Sequence, residues 1–375
     1  MQYRWLGRTG LKISSLGFGA MRLPMMGEGQ QARVDREKAI PLIHRAFELG
    51  VNYIDTAPGY CNDDGQRAVG EALADRPHPV VVSTKNMYYG EDEATWRRNL
   101  ENSLDRLGVE AIDVYHHHAM NWKIYREQME PRVIPWMLKA RDEGLVRHVA
   151  CSFHDSPQAL LRLIETGYPE IITVQYNMLD PSLQEGLERA AERGIGVVVM
   201  GPVAGGKLAE PSEVLAEMTP REVRVPELAL RFVLANRNVA TAISGMNTPE
   251  QVDQNARVAS DPTALRPGDL HMIEQRLERL RTLADLYCTG CRYCLPCPRQ
   301  VKIPEIFQIY NRARIYGLWT SARADYDRLA SASGEGGADA AACVECGQCE
   351  QKCPQHLPIR EQLKHAYQAL KTEHP

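Results

Sequence analysis

Eight of the ten cysteines fall in two short runs, each closing on a proline. The first is Cys288, Cys291, Cys294 and Cys297-Pro298, with two residues between neighbours. The second is Cys343, Cys346, Cys349 and Cys353-Pro354, with gaps of two, two and three. Three thiolates two residues apart on a turning backbone converge on one metal cluster, while a displaced fourth followed by proline points toward a neighbouring one. The chemistry implied is iron and sulfide ligation.

Thiols in such runs have two other uses in proteins. Structural zinc accepts four thiolates in paired Cys-x2-Cys geometry and is one alternative, though zinc ribbons rarely use a third cysteine at the same interval. A disulfide framework belongs to small secreted chains, and cysteines three positions apart in a long chain fit a reducing compartment better. The second run matches the bacterial ferredoxin spacing, whereas the first departs from it, ending on a gap of two where that pattern has three. Two 4Fe-4S clusters with exchanged ligands, Cys353 on the first and Cys297 on the second, fit the eight thiols; a single cluster is the other arrangement. Cys61 and Cys151 stand alone and read as small buried hydrophobes.

A second set of residues suggests acid chemistry. Asp55 and Tyr60 lie at and just after one β-branched run, Lys85 closes the next and His118 the one after, in Asp113-Val114-Tyr115-His116-His117-His118. A tyrosine with an unperturbed pKa of about 10 gives up its proton near neutral pH more readily beside a cation. Lys85 would be that cation, Asp55 its counter-charge, and His118 a second donor to the same substrate oxygen. Strand alternation puts His116 on the face of His118 and His117 on the other, which argues against a metal site in the triple histidine. Taken singly, each of these side chains is more often packing or surface than chemistry.

The elements that would position them are eight short apolar runs at 13–18, 51–56, 80–85, 112–118, 146–153, 171–176, 196–200 and 240–245. Amphipathic stretches such as 36–49, 95–107 and 181–193, apolar at three- and four-residue spacing, separate them. Eight strand–helix units in about 250 residues have the dimensions of a (β/α)8 TIM barrel, and strands apolar throughout fit a parallel sheet covered on both faces. A doubly wound open sheet would show Gly-x-Gly-x-x-Gly after its first strand; the chain has Gly17-Phe18-Gly19-Ala20-Met21, too short for it. The expected organisation is an α/β barrel over 1–285 and a small, mainly helical ferredoxin-like iron–sulfur domain over 286–375, with 331–337 as a connector between the cysteine runs.

Composition narrows the function classes. The 375 residues are 44% hydrophobic and 25% charged with a net charge of -4, enough to bury a large core and without the basic excess that holds nucleic acid. The start Met1-Gln2-Tyr3-Arg4-Trp5 lacks a signal-peptide pattern, and no apolar run approaches the ~20 residues of a membrane helix, so no membrane role and a cytoplasmic address are expected.

From about Tyr3 to Ala259 the chain resembles the aldo-keto reductase superfamily. The residues that carry the likeness are Leu6-Gly7-Arg8-Thr9-Gly10-Leu11-Lys12-Ile13-Ser14, the Asp-Thr-Ala-x-x-Tyr motif ending at Tyr60, Ser83-Thr84-Lys85, and Asp-x-Tyr-x-x-His ending at His118. The tail resembles the ferredoxin-type C-terminal extension of one branch. The resemblance implies an NAD(P)H-dependent oxidoreductase interconverting a carbonyl and an alcohol, with Asp55, Tyr60, Lys85 and His118 as catalytic tetrad. It implies NADP(H) or NAD(H) held by Gly19, Met21, Asp55, Ser152, Gln175, Met200, Gly201, Pro202, Val203, Gly245, Asn247, Gln251 and Asn255. Thr248-Pro249-Glu250 reads independently as a helix start whose free N–H groups face a phosphate.

Two residues depart from the family pattern: Phe153 replaces an asparagine of many relatives, and Gln251 replaces an arginine that grips the 2′-phosphate. Met21, Tyr88, Tyr89, Met120 and Trp122 are candidates for the wall of a substrate pocket. Besides a small carbonyl compound, a ferredoxin-like electron-transfer partner is an expected ligand of the tail. A redox adaptor and a nucleotide-sensing module with structural clusters are the alternatives to a simple reductase.

Overall fold

The computed structural model describes residues 1–217, 219, 223–261, 267–282, 288, 292–331 and 338–371. Cys291 and residues 332–337 of the expected connector lie outside the described residues.

The chain enters through a hairpin, β1 (Tyr3–Trp5) against β2 (Lys12–Ser14). The run expected as one strand over 13–18 is therefore two elements. Ser14 ends the hairpin, its hydroxyl bonding the Leu16 carbonyl, and the barrel strand β3 starts afresh at Leu16–Gly19. A short hairpin, β4 (Met25–Met26) with β5 (Arg33–Val34), precedes helix α1 (Arg36–Glu48). Then follow β6 (Tyr53–Asp55), α2 (Gly65–Ala74), β7 (Val81–Asn86), α3 (Glu93–Leu107), β8 (Ile112–Met120), β9 (Val146–Phe153), β10 (Ile171–Gln175), β11 (Gly196–Met200) and β12 (Thr241–Ser244).

Eight of these strands pair in parallel and close into a barrel in the order β10-β11-β12-β3-β6-β7-β8-β9. Runs such as Val197–Val198–Val199 are buried, as a strand between barrel interior and outer helices must be. The helices turn one apolar stripe inward. In α1 that stripe is Ala39, Leu42, Ile43, Ala46 and Phe47, and α3 is capped by the Asp92 carboxylate, which accepts from the Ala94 and Thr95 amides, and ends at left-handed Gly108.

Leu6 and Ile13 of the hairpin pack with Tyr53, Val114, Ala150, Ile171 and Val198 from the strands. A Cβ on Gly7 would lie 2.4 Å from the Gly196 amide nitrogen, at the first residue of β11, so the hairpin seats against the N-terminal end of the barrel. The opposite mouth is left to the loops that follow the strands, where barrel chemistry gathers.

The chain divides into two compact units, Met1–Gly205 with Pro226–Arg266, and Gly206–Val225 with Pro267–Pro375. The expected boundary between 285 and 286 lies outside the described residues. Within the second unit, Lys207, Glu210 and Ser212 are tied to residues far along the chain. The Ser212 hydroxyl donates to the Tyr316 carbonyl at 2.6 Å, the Glu210 carboxylate accepts from the Thr320 and Ser321 amides, and Lys207 pairs with Asp325 at 2.6 Å. The second unit is helical, with helices Ile303–Tyr316, Trp319–Ser331 and Ile359–Lys371 around Ile306, Phe307, Tyr310, Tyr326, Leu363 and Leu370.

Candidate functional site

At the C-terminal mouth, Asp55 ends β6, Lys85 lies near the end of β7 and His118 near the end of β8. The Lys85 ammonium donates to Asp55 Oδ1 at 2.6 Å and to the Thr56 carbonyl at 2.8 Å, with both side chains under 5% exposed. The second carboxylate oxygen accepts from the Ser83 hydroxyl at 2.7 Å. A buried ion pair is tolerated only when its remaining lone pairs and protons find partners, and Ser83 and Thr56 supply them. Ser83 was seen in the sequence only as part of a motif; that it sits two residues before Lys85 on one strand face is the signal for this role.

Tyr60 projects from the loop after β6. Lys85 Nζ stands 5.0 Å from its ring centroid, and the His118 ring meets it edge-on with centroids 6.0 Å apart. Burial raises the Tyr60 phenol above its ordinary value; the nearby ammonium opposes this and Asp55 adds to it. Burial, reinforced by Lys85, lowers the His118 imidazole to about 4, so it is neutral at pH 7. Its Nδ1 is buried without a hydrogen-bond partner. The structure thus brings all four side chains together.

The neighbouring histidines do other work. His116 points into the barrel, its Nε2 2.8 Å from the Thr173 hydroxyl on β10, and His117 faces away, with Nδ1 2.5 Å from the Tyr168 hydroxyl. Burial lowers each to about 3. A bulge after His117 turns Ala119 into the left-handed region at φ 56°, where its amide donates to Ser152 Oγ at 2.8 Å. Met120 belongs to β8 and is fully buried beside Phe153, so neither lines an open loop, while Met21 is 59% exposed. Tyr89 donates to the His118 carbonyl, tying its loop to the rim.

The residues expected to hold a dinucleotide ring the same mouth. Gln175 ends β10 and Met200 ends β11, paired in register, and Gly201 follows, its carbonyl accepting from Asn177 Nδ2 at 3.2 Å. Pro202 is buried and Val203 half-buried beside it. Gly19 and Gly245 pass so closely that a Cβ on Gly19 would stand 3.4 Å from the Gly245 nitrogen, leaving bare backbone there. The helix Pro249–Ser260 starts at Thr248, whose hydroxyl accepts from the Gln251 amide at 3.3 Å. The Gln251 side chain accepts from the Asn247 amide at 2.8 Å and Asn255 donates to Ser244 Oγ at 3.2 Å, so both fasten the loop after β12. A helix N-terminus and bare glycine backbone suit an anionic dinucleotide, and the His118 Nδ1 without a partner leaves a polar position open beside Tyr60.

Sequence reasoning missed Arg22. Its guanidinium makes no ion pair among the described residues and its side chain lies along Gly245, about 3.7 Å from where a Cβ would be, and near Gly205 at 3.5 Å. An arginine four residues beyond Phe18 was the available signal.

In the second unit the described thiols surround two cavities. One is lined by Cys294, Cys297, Cys343, Cys346 and Cys349 with Arg299 and Arg360. The other is lined by Cys288, Cys294 and Cys353 with Ile303, Phe307 and Ile359. Each draws on both cysteine runs. Among the described residues no group of three His, Cys, Asp or Glu side chains is gathered around a single point.

The sequence matches the aldo/keto reductase family over residues 15–275 and the 4Fe-4S dicluster domain over residues 287–357. It is 27% identical over 312 residues to the L-galactose dehydrogenase of Arabidopsis thaliana, covering 76% of this chain and 96% of that protein. It is 26% identical over 326 residues to the NADH-specific methylglyoxal reductase of Escherichia coli, covering 73% and 98%. An aldo-keto reductase from Bacillus halodurans, in its holo form, shares the fold with a TM-score of 0.65 at 28% identity, covering 74% of this chain and 96% of that one. Among the described residues no helix is long and apolar enough to cross a membrane. With the family match spanning every strand of the barrel and the dicluster match spanning the cysteine runs, the chain is an NAD(P)-dependent oxidoreductase belonging to the aldo/keto reductase family, with a C-terminal 4Fe-4S dicluster domain.

Proposed function

We propose that the chain interconverts a carbonyl compound and its alcohol, with Tyr60 as the group that protonates the substrate oxygen. The observation that carries this reading is the Lys85 ammonium, held between Asp55 at 2.6 Å and the Tyr60 ring at 5.0 Å. A bound reduced nicotinamide supplies the hydride. Asp55 fixes Lys85, and Lys85 stabilises the phenolate as Tyr60 releases its proton. Neutral His118 donates a hydrogen bond to the same oxygen and orients it, costing no extra charge in a buried site. Gln175, Ser152, the Met200–Val203 loop, Gly245, Asn247, Gln251 and Asn255, with Gly19 and Met21, are the residues assigned to the dinucleotide.

The cavities support two 4Fe-4S clusters with exchanged ligands: Cys288, Cys291 and Cys294 with Cys353 on one, and Cys343, Cys346 and Cys349 with Cys297 on the other. The clusters supply one-electron carriers, and the exposure of Cys346 on the wall of its cavity favours exchange with a ferredoxin-like partner. Tyr60→Phe tests the catalytic reading. Titration of NAD(P)H by fluorescence should give nearly the wild-type affinity, while carbonyl reduction falls by at least about 100-fold, the scale of general acid catalysis. Wild-type turnover in this variant refutes the assignment.

A further inference from the structure

Tyr60 is followed by three residues in the left-handed region, Cys61 at φ 53°, Asn62 at φ 56° and Asp63 at φ 65°. None is glycine. Single asparagines and aspartates visit this region, but three consecutive non-glycine residues there need outside forces to hold them. The structure supplies such forces at every position. The Cys61 thiol donates to the Ala20 carbonyl at 3.5 Å, and Asn62 Nδ2 donates to the Gly29 and Ala32 carbonyls at 2.9 and 3.2 Å. Asp63 takes both Nη atoms of Arg106, on α3, at 2.8 Å each.

These ties enclose one residue. Asp63 Oδ1 also accepts from the Gly59 amide at 3.0 Å, before Tyr60, and the Gly65 amide donates back to the Tyr60 carbonyl at 3.0 Å. The backbone on both sides of Tyr60 is therefore fastened through the same turn. Arg106 continues toward the cation, reaching Gln66 Oε1 at 3.5 Å, and buried Gln66 donates to Thr84 Oγ1 at 2.9 Å, the neighbour of Lys85 in β7.

We propose that the Cys61–Asn62–Asp63 turn, locked by the Asp63–Arg106 pair, is the device that sets the Tyr60 phenol over Lys85, with Asp63 and Arg106 as positioning residues. The inference rests on the reading of Tyr60 as the proton donor. A merely structural loop would hold the fold without fixing this ring; here the strained backbone, the bidentate pair and the amide on the far side of Tyr60 all act on one residue. Lys85, Asp55 and His118 are the charged or titratable groups that face the phenol.

The test uses the full chain and the variants Asp63→Asn, Arg106→Gln and Arg106→Lys. Expected is a kcat lowered about 10- to 100-fold in the first two, the cost of an ångström-scale misplacement, with KM and NAD(P)H affinity within about twofold of wild type. Arg106→Lys should recover part of the loss, and the double variant should be no worse than either single one, as for residues acting as a unit. Lys85 lowers the Tyr60 pKa, so a phenol that drifts from it holds its proton longer, and the alkaline limb of kcat moves to higher pH. Asn62→Gly, which removes the ties to Gly29 and Ala32 together with the backbone cost, is the milder variant should the others not fold, and the same signature is expected. Unchanged kcat in a folded variant overturns the inference, as does a loss of activity that follows thermal stability with the alkaline limb unmoved. A fully active Tyr60→Phe would remove the functional reading itself; an inactive Tyr60→Phe beside a fully active Arg106→Gln removes only the positioning role.

Discussion

The four side chains at the mouth differ in how burial treats them. Burying a phenol and burying an imidazole both favour the neutral form, which raises Tyr60 and lowers His118. Beside them Lys85 pairs with Asp55 at 2.6 Å. For His118 the lowering fixes a pH dependence. With its folded value near 4, the imidazole stays neutral down to about pH 5, so kcat should show no limb between pH 5.5 and 7.5 attributable to it. A pH–rate profile of wild type against His118→Asn checks this, and a limb near 6.5 that vanishes in the variant would contradict the structure. Asp55 and Lys85 were legible because each closes an apolar run. Ser83 was not singled out, because a buried serine has no spacing that announces its partner.

At the scale of elements, the strands and helices were readable wherever their periodicity was unbroken. The runs at 146–153 and 196–200 coincide with β9 and β11, and 36–49 nearly coincides with α1. The run at 13–18 misled because Ile13 and Leu16 are both apolar, while the break between them is made by the Ser14 side chain bonding along its own backbone, a local contact invisible to a hydrophobic pattern. The β8 bulge was equally hidden, since nothing in His117-His118-Ala119 marks a left-handed alanine. Close helix approaches leave a readable trace only as glycines. A Cβ on Gly70 of α2 would fall 2.4 Å from the Arg106 carbonyl of α3, backbone that cannot move aside alone. Gly70→Ala should therefore destabilise the fold by about 1–3 kcal/mol despite alanine's better helix propensity, read as a lowered midpoint in urea denaturation. A stabilised variant would show that the two helices part freely.

At the scale of the molecule, the iron–sulfur tail was the most legible part, because ligand spacing is a constraint that sequence states openly. Which thiol serves which cavity needed the fold: Cys353 meets Cys288 and Cys294 only once the helix Ile359–Lys371 packs against Ile303–Tyr316. Two exchanged clusters predict about eight irons per chain after anaerobic reconstitution, falling to about four in Cys353→Ser as in Cys297→Ser, with NAD(P)H-driven bleaching of the visible band altered in both. An iron content unmoved by either substitution would exclude the exchange.

Residues 206–225 give the second unit a piece that lies, in the order of translation, between the seventh and eighth strands of the barrel. The ribosome thus delivers Lys207, Glu210 and Ser212 well before Tyr316, Thr320 and Asp325 exist to receive them. Removing the tail by a stop codon would strand that loop with its polar groups unanswered, so tailless and intact proteins differ by more than their metal content. A graft of the tail onto another barrel would need the loop transplanted as well.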